Sequence, residues 1–137
     1  MPAACVFDAS AMLALIFRER GHAALEAIVA RRRVHMSSVN VAETLHVAQR
    51  RGHRRSRDQL YDDLVALGIR IEPVGPEEAL EIAYLLERAV ALPPPARTLS
   101  LGDAACLALA TRLGIPAVAS DAAWEVLDER LEVLPFR

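Results

Sequence analysis

Four acidic residues stand where a carboxylate could do chemistry: Asp8, Glu43, Asp103 and Asp121. Asp8 closes the apolar run AACVF, and Asp121 follows the apolar run AVAS. Glu43 and Asp103 each fall where the flanking pattern predicts the first turn of a helix. Four carboxylates drawn together raise one another's pKa by repulsion and favour a divalent cation between them. Hard Mg²⁺ or Mn²⁺ prefers such oxygen ligands and keeps several waters. An ion held in this way acidifies a water as nucleophile and binds a phosphoryl oxygen. The chemistry inferred is metal-assisted hydrolysis of a phosphodiester.

The other charged residues narrow the field. All 16 basic residues are arginine, so a P-loop or a lysine Schiff base is excluded. The net charge of -2 gives no general attraction to nucleic acid, so a polyanion would need a local patch or a bound cation. Cys5 and Cys106 lie inside apolar runs and read as buried free thiols, with no CxxC pair or histidine cluster to suggest zinc.

Each acid also has a plainer reading. Asp8 and Asp121 could cap the helices that follow them. Asn40 with Glu43, and Ser100 with Asp103, both fit a capping box. Asp103 argues most strongly for more than a cap. It lies on LGDAACLALATRL, apolar almost all round, and shares a face with Leu107 and Ala110. A carboxylate turned toward the interior is costly unless helix amides, arginine or a cation compensate it.

These residues must be positioned by an alternation of strands and helices. Residues 3–7, 34–37, 69–74, 117–120 and 131–136 read as strands, and helices are expected at about 10–18, about 21–31, from near Asn40, from beyond the basic break at 50–57 to Gly68, at 77–91 and at about 101–113. Leu60, Leu64 and Leu67 are expected to face inward, as are Ala79, Ile82, Ala83, Leu86 and Val90 on helix 77–91. The pattern predicts a three-layer α/β/α sandwich with a mostly parallel central sheet, in one domain over 1–137. Sites in such sheets lie beyond the carboxyl ends of the strands, where all four acids could gather. The amino terminus lacks a basic n-region and a long apolar h-region, and no apolar run approaches ~18 residues. A soluble cytoplasmic protein with no membrane contact is expected.

At this point the sequence resembles a known family, the PIN-domain ribonucleases, and most closely the VapC-type toxins of toxin–antitoxin pairs. The matching pieces are VFDAS at 6–10, SSVNVAETL at 37–45, LSLGDAACLALA at 99–110 and ASDAAW at 119–124. The resemblance implies a PIN-like fold in which Asp8, Glu43, Asp103 and Asp121 hold one or two Mg²⁺ or Mn²⁺ ions. It makes Asp8 and Asp103 the principal ligands, gives Glu43 an orienting role and Asp121 a second-ion or water-mediated one, and has Ser10 support Asp8. It also implies an endoribonuclease with an RNA substrate, a homodimer, and inhibition by a small antitoxin protein. Ala119 departs from the Thr or Ser of many relatives, and Ser120 is the candidate to replace that hydroxyl.

Secondary features carry their own readings. RRGHRRSR at 50–57 is either an RNA phosphate contact or a solvated corner between helices. Arg31, Arg32 and Arg33 complement a helix dipole. Trp124 either stacks on a base or packs against the last helix. His22, His35, His46 and His53 lack ligand spacing, and apolar residues on the helices at 22–30 and 41–49 are candidates for a partner interface. Three other functions compete. A non-catalytic PIN-fold module binding RNA or protein would be expected to have lost an acid. Phosphoaspartyl proteins resemble one another in using a lysine that this chain lacks. A flap-type DNA nuclease would bring insertions that 137 residues cannot hold.

Overall fold

A computed structural model describes residues 3–94, 98–120 and 122–137. Five strands form one sheet: β1 (Ala4–Phe7), β2 (Arg33–Ser37), β3 (Arg70–Glu72), β4 (Ala117–Ala119) and β5 (Val133–Pro135). Their order is β3-β2-β1-β4-β5, and every neighbouring pair is parallel. Cys5 pairs with Val34 and Val6 with Ala117, so β1 is the centre of the sheet. The helices are α1 (Ala9–Ile16), α2 (His22–Arg31), α3 (Ser38–Arg50), α4 (Arg57–Ala66), α5 (Pro76–Val90) and α6 (Leu101–Leu113). A 3₁₀ segment covers Ala122–Leu127.

The two-residue period of the strands divides the core. Cys5, Phe7, Val34, Met36 and Val118 face one cluster with Met12, Leu25, Val41 and Leu64 from α1 to α4. Val6, Ala117 and Ala119 face the other, with Leu85 from α5 and the buried run Ala104–Ala110 of α6. Burying both sheet faces explains why the strands read as continuous apolar runs. The architecture is the expected α/β/α sandwich. Among the described residues, no helix is long and apolar enough to cross a membrane. Cys5 and Cys106 are buried free thiols, as expected.

Two inward faces differ from expectation. Leu67 is 48% exposed because α4 ends at Ala66, leaving Leu67 as its C-cap. On α5 the buried residues are Glu78, Ile82, Leu85 and Ala89, whereas Ala79, Ala83 and Val90 are exposed. The helix is rotated because Glu78 points inward to Arg112 of α6, an ion pair that a count of apolar residues cannot register.

Candidate active site

β1 delivers Asp8 to the carboxyl end of the central strand, where it becomes the N-cap of α1. Its Oδ1 accepts from the Ala11 amide at 2.8 Å. The Ser10 hydroxyl lies 2.7 Å from Oδ1 and 2.8 Å from Oδ2. Asp8 is only 3% exposed, and burial pushes its pKa up to about 6. The bonds from Ser10 and Ala11 work against that rise, while the charges of Asp103 and Glu43 add to it. Among the described residues no ion pair reaches Asp8 or Glu43.

Asp103 enters from the other face of the sheet, in the first turn of α6. It closes the expected capping box: its Oδ2 accepts from the Ser100 amide at 3.0 Å, and its own amide donates to Ser100 Oγ at 3.1 Å. Asp103 is half-buried rather than turned into the core, because the box holds it at the helix end. Gly114, in the left-handed region at φ 65°, ends the same helix.

Glu43 comes from α3. The capping box expected for Asn40 and Glu43 does not form, since α3 begins at Ser38 with Ser37 as its cap. Both residues lie inside the helix, three apart and therefore on one face. Asn40 is 1% exposed, and its Nδ2 donates to the Gly102 carbonyl of α6 at 2.8 Å. Burial raises the Glu43 pKa, a hydrogen bond from the Asn40 side chain opposes the rise, and the Asp103 charge adds to it. The Glu43 carboxylate occupies the space directly over the Gly102 Cα, where a Cβ would come 2.4 Å from Oε1.

Three acids from distant parts of the chain thus feel one another's charge. Cys106, buried in α6, reports the same field: burial raises its thiol well above the ordinary value, and Asp8, Asp103 and Glu43 raise it further. Asp121 lies outside the described residues. Among the described residues, no group of three or more His, Cys, Asp or Glu side chains could by itself hold a metal ion. Ser120 Oγ stands 3.5 Å from Ser10 Oγ, next to Asp8, while Ala119 is buried in the sheet.

The remaining candidates divide clearly. In the basic run, Arg51 pairs with Glu19 and lies 3.8 Å over the Phe17 ring, Arg55 pairs with Asp63, and Arg57 with Asp58. The run begins seven residues beyond Glu43 on α3, roughly 10 Å along the helix. Trp124 is buried in the α5–α6 cluster, the packing role of its two readings. His35 and His22 bind Glu72 and Glu26, and His53 packs edge-on against Phe17. Arg31 ends α2 as expected, but Arg33 opens β2. Asn40 and Gly102 were not singled out in the sequence as contributors to the site. Their only signal is position, one helical turn before Glu43 and one residue before Asp103.

Comparison with known proteins supplies the context. The family model described as PIN domain matches residues 5–130. No curated protein matches the sequence. Among solved structures, the chain is similar to VapC20 of Mycobacterium tuberculosis, described as a sarcin–ricin-loop-cleaving toxin. The two are 22% identical, with 89% of this chain and 93% of that one covered and a TM-score of 0.71. A toxin–antitoxin complex from Klebsiella pneumoniae gives 17% identity, coverage of 97% and 98%, and a TM-score of 0.69. FitAcB from Neisseria gonorrhoeae gives 18%, coverage of 96% and 97%, and 0.68. At these identities the structural likeness establishes the fold.

Proposed function

Because this chain belongs to the PIN-domain family, we propose that it is a metal-dependent endoribonuclease acting as the toxin of a toxin–antitoxin pair. One observation carries the reading: Asp8, nearly inaccessible and without a basic partner among the described residues, lies in the repulsive field of Asp103 and Glu43. A cluster of this kind is compensated best by a cation.

The donors fit a hard divalent ion. They are carboxylate oxygens, which suit Mg²⁺ or Mn²⁺, ions that take one or two carboxylates and retain water. Asp8 and Asp103 are the proposed ligands, with Asp121 and Glu43 completing the set. When bound, the ion supplies Lewis acidity toward a phosphoryl oxygen and an acidified water.

The chain's own residues do the positioning. Ser10 and the Ala11 amide fix both oxygens of Asp8 in direction. The Ser100 box fixes Asp103. Glu43, more accessible than Asp8, orients an attacking water and accepts its proton at a carboxylate oxygen. The partners proposed are an RNA substrate, a cognate antitoxin protein and a second copy of the chain. The structural relative described as a toxin–antitoxin complex supports the antitoxin. The chain is proposed to act as one domain in the cytoplasm.

The test is direct. The purified protein should cleave RNA when given Mg²⁺ or Mn²⁺, and EDTA or Asp8→Asn should abolish cleavage. Full cleavage by the Asp8→Asn protein would overturn the site. RNA binding without any cleavage would favour a non-catalytic module.

A further inference from the structure

Glu43 is the least anchored of the three described acids by backbone contacts, since it caps no helix. What holds it is a junction between the amino ends of α3 and α6. Asn40, one turn earlier on α3, is buried and donates through Nδ2 to the Gly102 carbonyl at 2.8 Å. Asn40 also shares a face of α3 with Glu43, three residues earlier, and a hydrogen bond from its side chain partly offsets the rise that burial gives the Glu43 pKa. An Nδ2 group carries two hydrogens, so one amide can serve both acceptors. Its Oδ1 is buried with no hydrogen-bond partner, a cost that a side chain chosen only for packing would avoid.

Gly102 completes the seat by what it lacks. It is the second residue of α6, a position where Ala would favour the helix more. Yet a Cβ there would lie 2.4 Å from Glu43 Oε1 and 3.1 Å from Cδ. Ordinary contact begins near 3.4 Å, so the carboxylate would have to retreat by about 1 Å. The amino end of α6, with its partial positive charge, also favours an anion in this place.

We propose that Asn40 is a positioning residue for Glu43, and that Gly102 is required as glycine because the Glu43 carboxylate rests against its Cα. The proposal rests on the nuclease reading only for the claim that this placement serves cleavage; the placement itself stands apart. Misplacing a reacting group by about 1 Å costs on the order of a hundredfold in rate.

Two readouts separate the claims. In crystal structures of Gly102→Ala and Asn40→Leu, the Glu43 carboxylate should be displaced by about 1 Å with α3 and α6 otherwise in place. An unmoved carboxylate in both would overturn the proposal, whether or not the protein cleaves RNA. In RNA cleavage, Gly102→Ala should lower kcat about a hundredfold with no loss of thermal stability. Combined with Glu43→Ala, neither substitution should lower kcat further. An added loss of tenfold or more in that background would assign Asn40 and Gly102 a structural role instead. If the unaltered protein cleaves no RNA, the nuclease reading fails, and the crystallographic test still decides the placement.

Discussion

Asp8 makes the metal-free protein a sensitive test of the site. Its carboxyl has an ordinary value of 3.8 and is raised to about 6 in the fold, chiefly by burial. A gap of that size corresponds to about 3 kcal/mol. Because the folded value is the higher one, the neutral acid favours folding. The contribution is complete below about pH 4 and is lost as pH rises through about 6. At pH 8 the metal-free protein therefore carries an ionised Asp8 that works against the fold.

Asp8→Asn removes the charge and retains an acceptor for the Ala11 amide, so the cap of α1 survives. Part of the gain is offset by the cost of burying an amide, leaving about 1–3 kcal/mol at pH 8. For a chain of this length each kcal/mol moves Tm by about 3–4 °C. The assay is thermal unfolding in EDTA from pH 4 to pH 8, for both proteins. The Asn variant should melt about 4–10 °C higher at pH 8 and at nearly the same temperature at pH 4. Adding Mn²⁺ should raise the unaltered protein's Tm and leave the variant's unchanged. A difference independent of pH, or a variant less stable at pH 8, would refute the idea that repulsion and burial set the chemistry of Asp8.

Two further outcomes follow from neighbouring contacts. Asp103→Asn should abolish cleavage yet hold or raise Tm, because an amide oxygen can still accept from Ser100 and the repulsion is relieved. A large loss of stability would mean that Asp103 serves mainly as a cap. Away from the site, Arg112→Met should destabilise the protein by about 2–3 kcal/mol in urea unfolding, since Glu78 is buried and one of its oxygens already lacks a partner. Adding Glu78→Gln to that variant should restore much of the loss.

The sheet was legible because its strands are buried on both faces and its helices are punctuated. Asp8 could be placed from the end of AACVF, and Asp103 from the serine that opens its helix. Glu43 was harder. SSVNVAE offers more than one polar residue as a cap, and Ser37 rather than Asn40 takes that role. The choice depends on where β2 ends, which the sheet partner settles through the pairing of Ser37 with Glu72. Asn40 and Gly102 escaped for a deeper reason. Their role lies in a contact between two helices 62 residues apart in sequence, and all that either shows locally is a weak helix former inside a helix. The rotation of α5 escaped in a similar way, through an ion pair to a helix not yet placed.

Capping and metal binding began as rival readings of the same acids, but the two are compatible, because an ionised carboxylate offers about four lone-pair sites and a capping bond uses one of them. Asp8 accepts the Ala11 amide at Oδ1, and Asp103 accepts the Ser100 amide at Oδ2. In each case the cap fixes the side chain's direction through a backbone that the fold already holds rigid. That is the preorganisation a catalytic carboxylate requires, and it limits the ordering entropy left to be lost on binding. The capping bonds also oppose the effect of burial on Asp8, keeping it nearer to the anionic form that a cation needs. The two aspartates are thus aimed by their own helix ends. Glu43, which has no such end, depends on Asn40 from within its helix and on the bare Cα of Gly102.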